Sequence, residues 1–247
     1  MKIIFHEDFY QVYTSDPASA AGRIEAIIKV IKPNVEFITA EPASEVEISA
    51  VHTVSHIEYV EKAGLYPIAV LAAGGAIQAA RIGLKEPAFA LVRPPGHHAS
   101  SDSCWGFCYF NNMAIALSAL KTEGLIQKAF VLDIDLHFGD GTDNILGGRK
   151  WVTVYNPSAN TREEYIREVK EVLSGIKVDL IGVSAGFDHH IADWGGLLTT
   201  ENYQTIGKIV TDATKACGGG CFAILEGGYN HDVLGDNVAA LLDGLTP

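Results

Sequence analysis

The stretch AFVLDIDLHFGDG, residues 129–141, joins a short apolar run to a cluster of carboxylates and a histidine. Its first four residues are apolar and predict a buried β-strand. Asp135 and His137 follow with the same parity, and residues of one parity share a face of a strand. Their side chains can therefore converge at the carboxyl end of that strand. Carboxylates and an imidazole around one point are typical of a divalent metal site that activates water.

Apolar runs of strand length alternate with stretches of helical periodicity along the rest of the chain. This alternation predicts an α/β fold with an open, mostly parallel sheet and helices on both faces. The predicted strands are residues 2–5, 89–92, 129–132, 152–155, 180–184 and 221–225, and the predicted helices are residues 18–31, 68–83, 112–123, 163–173, 200–216 and 233–245. No linker, repeat or low-complexity tract separates these elements, so we expect a single domain over residues 1–247.

Polar and glycine-rich motifs follow most of the predicted strands. The motif RPPGHH ends in His97 and His98, SAGFDHH contains Asp188, and EGGYN contains Tyr229. Ligands of open α/β sheets bind at the carboxyl ends of the strands. We therefore expect these side chains to meet the aspartates and the histidine of the first stretch at one edge of the sheet.

The composition excludes several classes of protein. Hydrophobic residues make up 48% of the 247-residue chain and charged residues 19%, which predicts a large core instead of disorder. A formal net charge of −12 without a basic run argues against nucleic acid or an anionic membrane as a partner. No apolar stretch reaches the roughly 18 residues of a membrane span, and no signal peptide is evident, so we expect a cytoplasmic protein.

The four cysteines form two C-x3-C pairs, Cys104 with Cys108 and Cys217 with Cys221. Structural zinc sites more commonly use C-x2-C spacing, and both pairs lie among aromatic residues and glycines. We expect reduced thiols at all four positions.

Five motifs in a fixed order carry a resemblance to a known family. RPPGHH, GFCYFNN, DIDLHFGDGT, SAGFD and EGGYN all occur. The chain resembles the zinc-dependent deacetylases, which include histone deacetylases and acetylpolyamine amidohydrolases, and the likeness runs nearly from end to end. It looks like a compact prokaryotic-type member with the arginase/deacetylase-like fold. The implied activity is hydrolysis of an N-acyl amide, such as N-acetyl, on a lysine, a polyamine or a related amine.

The resemblance assigns a role to each motif residue. It implies that Asp135, His137 and Asp188 bind Zn²⁺, although Fe²⁺ suits the same nitrogen and oxygen ligands. It further implies that His98, oriented by Asp140, is the general base for the attacking water.

The resemblance implies that the remaining motif residues act on the substrate. His97, paired with Asp133, protonates the leaving amine in this interpretation. Tyr229 donates its hydroxyl to the carbonyl oxygen as negative charge develops there. Gly106 and Phe107 match the wall of the channel that holds the stem of a small acylated amine or an acyl-lysine.

The family also often binds K⁺ beside the active-site strand, through Asp133 and the main-chain oxygens of Asp135 and His137. The match weakens downstream, where Tyr155 stands in place of the usual small hydroxyl residue. Arg23 matches a family arginine near the base of the pocket. We expect Asp193 to fix its loop.

The other histidines have no counterpart in the family's catalytic set. We expect solvated or supporting roles for His189 and His190. We expect structural roles, with hydrogen-bonded rings, for His6, His52 and His56.

The chain departs from the family around the channel mouth. A long insertion is missing at residues 65–67, and the segment NPSANTREEY, residues 156–165, is brief. The second aromatic wall of the channel has no clear match, and Tyr165 is the candidate to replace it. These deletions predict a shallower, more open pocket with a broad or unusual acyl-amide preference.

Two other functions stay open at this point. One is a ureohydrolase-like enzyme of the same fold, which needs two metals bridged by several aspartates. The other is a non-catalytic sensor of acyl groups, which needs neither a base nor an oxyanion donor. The sequence leaves the oligomeric state open.

Overall fold

The sheet of this protein is wholly parallel and is built from strands that lie far apart in the chain. The computed structural model describes residues 1–31, 33 and 35–246. The strands in this part of the chain are β1 (Lys2–Phe5), β2 (Glu36–Thr39), β3 (Ala88–Ala90), β4 (Ala129–Asp133), β5 (Val152–Tyr155), β6 (Leu180–Ala185) and β7 (Gly220–Leu225). They form one sheet in the order β2-β1-β3-β7-β6-β4-β5. Strand β7 lies between β3 and β6 and pairs with both in parallel.

Helices cover both faces of this sheet. They are α1 (Arg23–Ile31), α2 (Glu45–Ser49), α3 (Val54–Lys62), α4 (Tyr66–Gly83), α5 (Asn112–Thr122), α6 (Asp140–Leu146), α7 (Arg162–Leu173), α8 (Thr200–Cys217) and α9 (His231–Leu245). None of the helices in the described residues is long and apolar enough to cross a membrane.

The alternation of side chains along the strands divides the core into two layers. Ile4 and Ile224 point into the layer formed mainly with α4 and α5. Their neighbours Ile3 and Ala223 point into the layer formed with α1, α7, α8 and α9. Because successive residues of a strand face opposite sides, strands buried on both faces need apolar residues throughout. The predicted α/β fold with helices on both faces is confirmed.

Some boundaries differ from the predicted ones. Strand β2 was not predicted because its residues are only partly buried, at the edge of the sheet, and include polar side chains. Helix α1 begins at Arg23 and not at residue 18, since Gly22 has φ of +85°, outside the helical region. Helices α2, α3 and α6 also lie outside the predicted helical ranges.

The structure confirms that the connections near the predicted channel mouth are short. Helix α3 ends at Lys62 and α4 begins at Tyr66, which leaves three residues between them. Six residues, 156–161, join β5 to α7. All four cysteines are free thiols.

Candidate active site

A pocket opens at the carboxyl ends of the four central strands β3, β7, β6 and β4. Its volume is about 270 Å³. Its lining residues come from the loops after β3, β4, β6 and β7, which the sheet order brings side by side. They are Pro95, His97, His98, Trp105, Gly106, Phe107, His137, Trp194, Gly227 and Tyr229.

Asp135, His137 and Asp188 converge at the floor of this pocket. Strand β4 ends at Asp133, so Asp135 and His137 lie in the loop beyond it. The strand parity used to predict their convergence therefore does not apply to them, although the predicted convergence itself is observed. Nδ1 of His137 nevertheless lies 3.1 Å from Oδ1 of Asp135 and 3.0 Å from Oδ2 of Asp188. Gly186 permits this approach, because a Cβ there would stand 2.2 Å from a carboxylate oxygen of Asp135.

The three side chains fit a divalent cation. Carboxylate oxygens of Asp135 and Asp188 both lie about 3 Å from Nδ1 of His137, and a positive charge among these three atoms would offset the repulsion between the two carboxylates. Hydrogen bonds to Asp135 and Asp188 raise the pKa of His137 to about 10, which reflects the same demand for positive charge. The ligand atoms of the three residues lie within 4.8 Å of one another. Nitrogen and carboxylate donors of this kind suit Zn²⁺ or Fe²⁺.

His97 lies beside this trio and is almost fully buried. Its Nδ1 is 3.0 Å from Oδ2 of Asp133, and its Nε2 is 3.8 Å from Oδ1 of Asp135. Burial alone would lower the pKa of His97, but the carboxylates of Asp135 and Asp133 outweigh it and raise the pKa well above its ordinary value. The surrounding carboxylates therefore favour the protonated form of His97.

His98 differs from its neighbour in charge. Its Nδ1 is 2.7 Å from Oδ1 of Asp140, the first residue of α6. Burial, followed by the nearby charge of His97, lowers the pKa of His98 to about 4 in spite of this carboxylate. The pKa values of the two neighbouring imidazoles are thus shifted in opposite directions, although their ring centroids lie only 4.0 Å apart.

Gly106 and Phe107 both adopt left-handed backbone conformations, with φ of +59° and +70°. A Cβ on Gly106 would stand 2.4 Å from Cδ2 of His98, so the backbone packs directly against that ring. The following turn directs Phe107 into the pocket, where its ring meets Tyr229 edge to face at 5.9 Å.

Tyr229 lies on the turn after β7, and this turn is held from two sides. Asp193 accepts hydrogen bonds from the backbone N–H groups of Tyr229 and Asn230, each at 2.8 Å, in agreement with its predicted role in fixing a loop. The fully buried Arg23 donates to the carbonyl oxygens of Gly228 and Glu226. Burial raises the pKa of the Tyr229 hydroxyl, so the phenol stays protonated.

Three site residues were missed at the sequence level. Trp105 and Trp194 line the pocket, and the Trp194 ring stacks on that of Tyr229 at 4.1 Å. Buried Glu226 accepts hydrogen bonds from the backbone N–H groups of Gly96 and His97, and burial raises its pKa to about 7. The signal for Glu226 was available, since it directly follows an apolar strand as Asp133 does.

The prediction that Tyr165 replaces the second channel wall is wrong. Tyr165 is on α7 with no exposed surface, packed in the core layer of that face of the sheet. An aromatic side chain at an inward-facing helical position is more readily buried than presented to a pocket. The pocket instead has Trp194, from the loop after β6.

The remaining histidines contribute no ligand to the trio. His190 is buried and accepts from the N–H of Ala192, whereas half-buried His189 packs edge to face against Tyr165 at 5.2 Å. His52 accepts from the N–H of Asn111, and Nε2 of His56 lies 2.7 Å from the carbonyl oxygen of Tyr109. His6 accepts from the N–H of Asp8, so all three predicted structural rings have hydrogen bonds.

Comparison with known proteins finds relatives that are described as deacetylases or amidohydrolases. A family model described as "Histone deacetylase domain" matches residues 63–157 and 154–245. The chain is 29% identical to a "Probable deacetylase" of Methanothermobacter thermautotrophicus, over 98% of this chain and 90% of that protein. It is 26% identical to a "Histone deacetylase-like amidohydrolase" of Pseudomonas aeruginosa, over 87% of this chain and 74% of that protein.

The fold is also similar to that of a solved structure. The crystal structure of the HDA15 HD domain matches with a TM-score of 0.86 and 25% identity, over 99% of this chain and 88% of that one.

Proposed function

Because this chain belongs to the histone deacetylase family, whose named members are deacetylases and amidohydrolases, we propose that it is a metal-dependent deacylase. Its substrate in this proposal is an N-acyl amide, most simply N-acetyl, of a lysine, a polyamine or a related amine. The products are a carboxylate, such as acetate, and the free amine.

One observation carries the proposal. Two histidine–aspartate pairs and a protonated phenol surround a trio of side chains that favours a divalent cation, all around one pocket. In this interpretation Asp135, His137 and Asp188 hold the metal. When bound there, Zn²⁺ supplies Lewis acidity to the carbonyl oxygen and lowers the pKa of water.

The unequal charges of the two imidazoles support separate roles in proton transfer. His98 is neutral above about pH 4, and because its Nδ1 faces Asp140, its Nε2 is the nitrogen free to accept a proton from the attacking water. His97 is charged and can donate a proton to the departing amine. Asp133 orients the ring of His97 through its Nδ1, and Asp140 orients His98 and favours the tautomer with the proton on Nδ1.

Tyr229 is the proposed hydrogen-bond donor to the carbonyl oxygen. Its raised pKa keeps the proton on the hydroxyl, so the group stabilises developing negative charge without being consumed as an acid. The turn donates to Asp193 and accepts from Arg23, and these hydrogen bonds hold the phenol in place before substrate arrives.

The shape of the pocket supports a small acyl group and an open outer end. Its volume of about 270 Å³ lies slightly below the roughly 300–1,000 Å³ of pockets for drug-sized ligands. Among the described residues, neither residues 63–65 nor residues 156–161 line it. We therefore propose a broad preference for the amine, with Gly106, Phe107 and Trp194 in contact with its stem.

A substrate panel tests this function. Acetyl-lysine peptides, acetylputrescine, acetylspermidine and longer acyl-lysines are incubated with the enzyme, with and without a chelator, and amine release is measured. We expect turnover that chelator abolishes and added Zn²⁺ or Fe²⁺ restores. Activity unaffected by chelation would refute the metal proposal, and strong discrimination among acetylated peptides would refute the open pocket.

The same samples test the two alternatives. A ureohydrolase-like centre binds two metals per chain, whereas the proposed site binds one, so the metal content decides between them. A sensor of acyl groups would bind acetyl-lysine without releasing acetate.

We further propose K⁺ beside Asp133. The hydroxyl of Tyr155 donates to Glu168 at 2.7 Å, so the available ligands are the Asp133 carboxylate and the main-chain oxygens of Asp135 and His137. Replacing Na⁺ by K⁺ at constant ionic strength should change turnover, and equal rates in the two salts would contradict this ligand set.

A further inference from the structure

Trp105 makes a contact that nothing in the proposed mechanism uses. Its indole N–H donates to Oδ2 of Asp140 at 2.8 Å, while Oδ1 of the same carboxylate lies 2.7 Å from Nδ1 of His98. One carboxylate therefore joins two rings. The rings also pack on each other, with centroids 3.8 Å apart and planes inclined by 30°.

The two histidine–aspartate pairs differ in the contacts that hold the carboxylate side chain in its orientation. The Asp133 side chain has no exposed surface, and its Oδ1 also accepts the backbone N–H of Asp135. The Asp140 side chain is 37% exposed, so water competes for its oxygens and burial does not set its orientation. The indole N–H of Trp105 supplies the missing constraint, because a hydrogen bond to an ionised carboxylate is stronger than one between neutral groups.

The local backbone makes this arrangement specific. Gly106 brings the chain directly against His98, so the ring before it, Trp105, has to lie over the same imidazole. About half of the surface of Trp105 remains exposed. Burial of the indole therefore does not by itself fix its position, and the two contacts with Asp140 and His98 do.

We propose that Trp105 is a positioning residue for the reaction: it holds Asp140, and through Asp140 it holds His98 in the orientation of a general base. The inference rests on the proposed function, in which His98 accepts the proton of the attacking water. Partners that orient a metal-binding histidine from behind typically contribute about 10–100-fold, and we expect an effect in the same range for a residue that orients His98.

The first experiment is a kinetic comparison of W105F with W151F. The phenylalanine at position 105 keeps an aromatic ring over His98 but removes the N–H. Trp151 is the matched control, since it packs against the core on the α4 and α5 face, with the Lys121 ammonium 5.9 Å from its ring centroid, and does not line the pocket. We expect W105F to lower kcat about 10-fold with KM within about twofold, and W151F to match the wild type. Wild-type kcat in W105F would overturn the proposal.

A double-mutant cycle tests whether Trp105 acts through Asp140. In the D140N background the carboxylate is already lost, so W105F should cost less than about twofold, which is the non-additivity expected of residues in one network. A merely structural role predicts the same factor in both backgrounds. That result would overturn the proposal.

A measurement without turnover separates this inference from the proposed function. The Nδ1 proton of His98, assigned by its absence in H98Q, should give a slowly exchanging NMR signal in the wild type that broadens in W105F and persists in W151F. If the wild type hydrolyses no amide but this pattern is seen, only the proposed function fails. An unchanged His98 signal in W105F would refute the positioning role.

Discussion

Oδ2 of Asp188 lies 3.0 Å from Nδ1 of His137 and, unlike Oδ1 of the same carboxylate, accepts no backbone hydrogen bond. Oδ1 accepts the N–H of Leu136 at 3.1 Å. A buried carboxylate oxygen without a donor is costly, so this oxygen is where a bound cation would stabilise the site. Burial, followed by the charge of Asp135, raises the pKa of Asp188 to about 6, and a bound cation would reverse that direction.

Replacing Asp188 by Asn should remove the metal. The amide keeps the shape of the side chain but supplies no negative charge, so we expect the affinity for Zn²⁺ to fall by more than about 100-fold. Metal content after dialysis is the measurement, and D212N, at an exposed position of α8, is the control. Full metal content together with wild-type turnover in D188N would refute the ligand assignment.

Tyr229→Phe should separate chemistry from metal binding. Loss of one oxyanion donor lowers kcat by about 10²–10³. Metal content should stay at one per chain, because Tyr229 is not in the trio of ligands. Steady-state kinetics and metal analysis on the same sample test both statements, and a variant that lost its metal would contradict the assigned role.

The pH profile should show an unusually low acidic limb. His98 acts as a base in its neutral form, which is present above its pKa of about 4 and is lost only as the pH falls through that value. At saturating metal, we expect kcat/KM to change little between pH 7 and 5. A histidine base with an ordinary pKa of about 6.5 would lose more than about 90% of its activity over this range.

A variant of His97 provides the control for that profile. The charge of His97 is, after burial, the second cause of the low pKa of His98. In H97N the pKa of His98 should therefore rise towards 6.5, as measured from the NMR shifts of its ring. An unchanged titration would show that His97 carries no charge in the native site.

Gly106→Ala and Gly124→Ala form a matched pair. Both glycines have positive φ, +59° and +72°, so each alanine should cost about 1–2 kcal/mol of the free energy of unfolding. A Cβ meets the His98 ring at 2.4 Å only at position 106, whereas nothing lies within 4 Å at position 124. We expect G106A alone to lose most of its kcat, and its free energy of unfolding to fall at least as much as that of G124A in urea. Equal activities would contradict close packing of Gly106 on His98.

The sequence predicted the central strands and the meeting of their polar motifs well, for a physical reason. Strands such as β6 are buried on both faces and read as continuous apolar runs, and in a parallel sheet their carboxyl ends meet at one edge. The partly exposed β2 has no such pattern. Strand β2 forms by pairing with β1, and the residues of β2 themselves show no apolar pattern that predicts this pairing.

The contacts of Trp105 and Trp194 could not be predicted in the same way. A tryptophan in a loop carries no periodicity, and its partner is chosen by the tertiary path of the chain. Asp140 is an example. An aspartate at the start of a helix is expected from the local sequence alone, but the sequence does not show that one of its oxygens lies beside His98 and the other accepts from Trp105.

The order of the strands has a consequence for biosynthesis. Strand β7 joins the half-sheet β2-β1-β3 to the half-sheet β6-β4-β5, and it is made after all of them. Until Gly220–Leu225 has left the ribosome, His97 and Asp188 belong to separate half-sheets, and Gly227 and Tyr229 are not yet in place to line the pocket. If the proposed function holds, activity should appear during synthesis only after β7 is inserted, and its appearance would time the closure of the sheet.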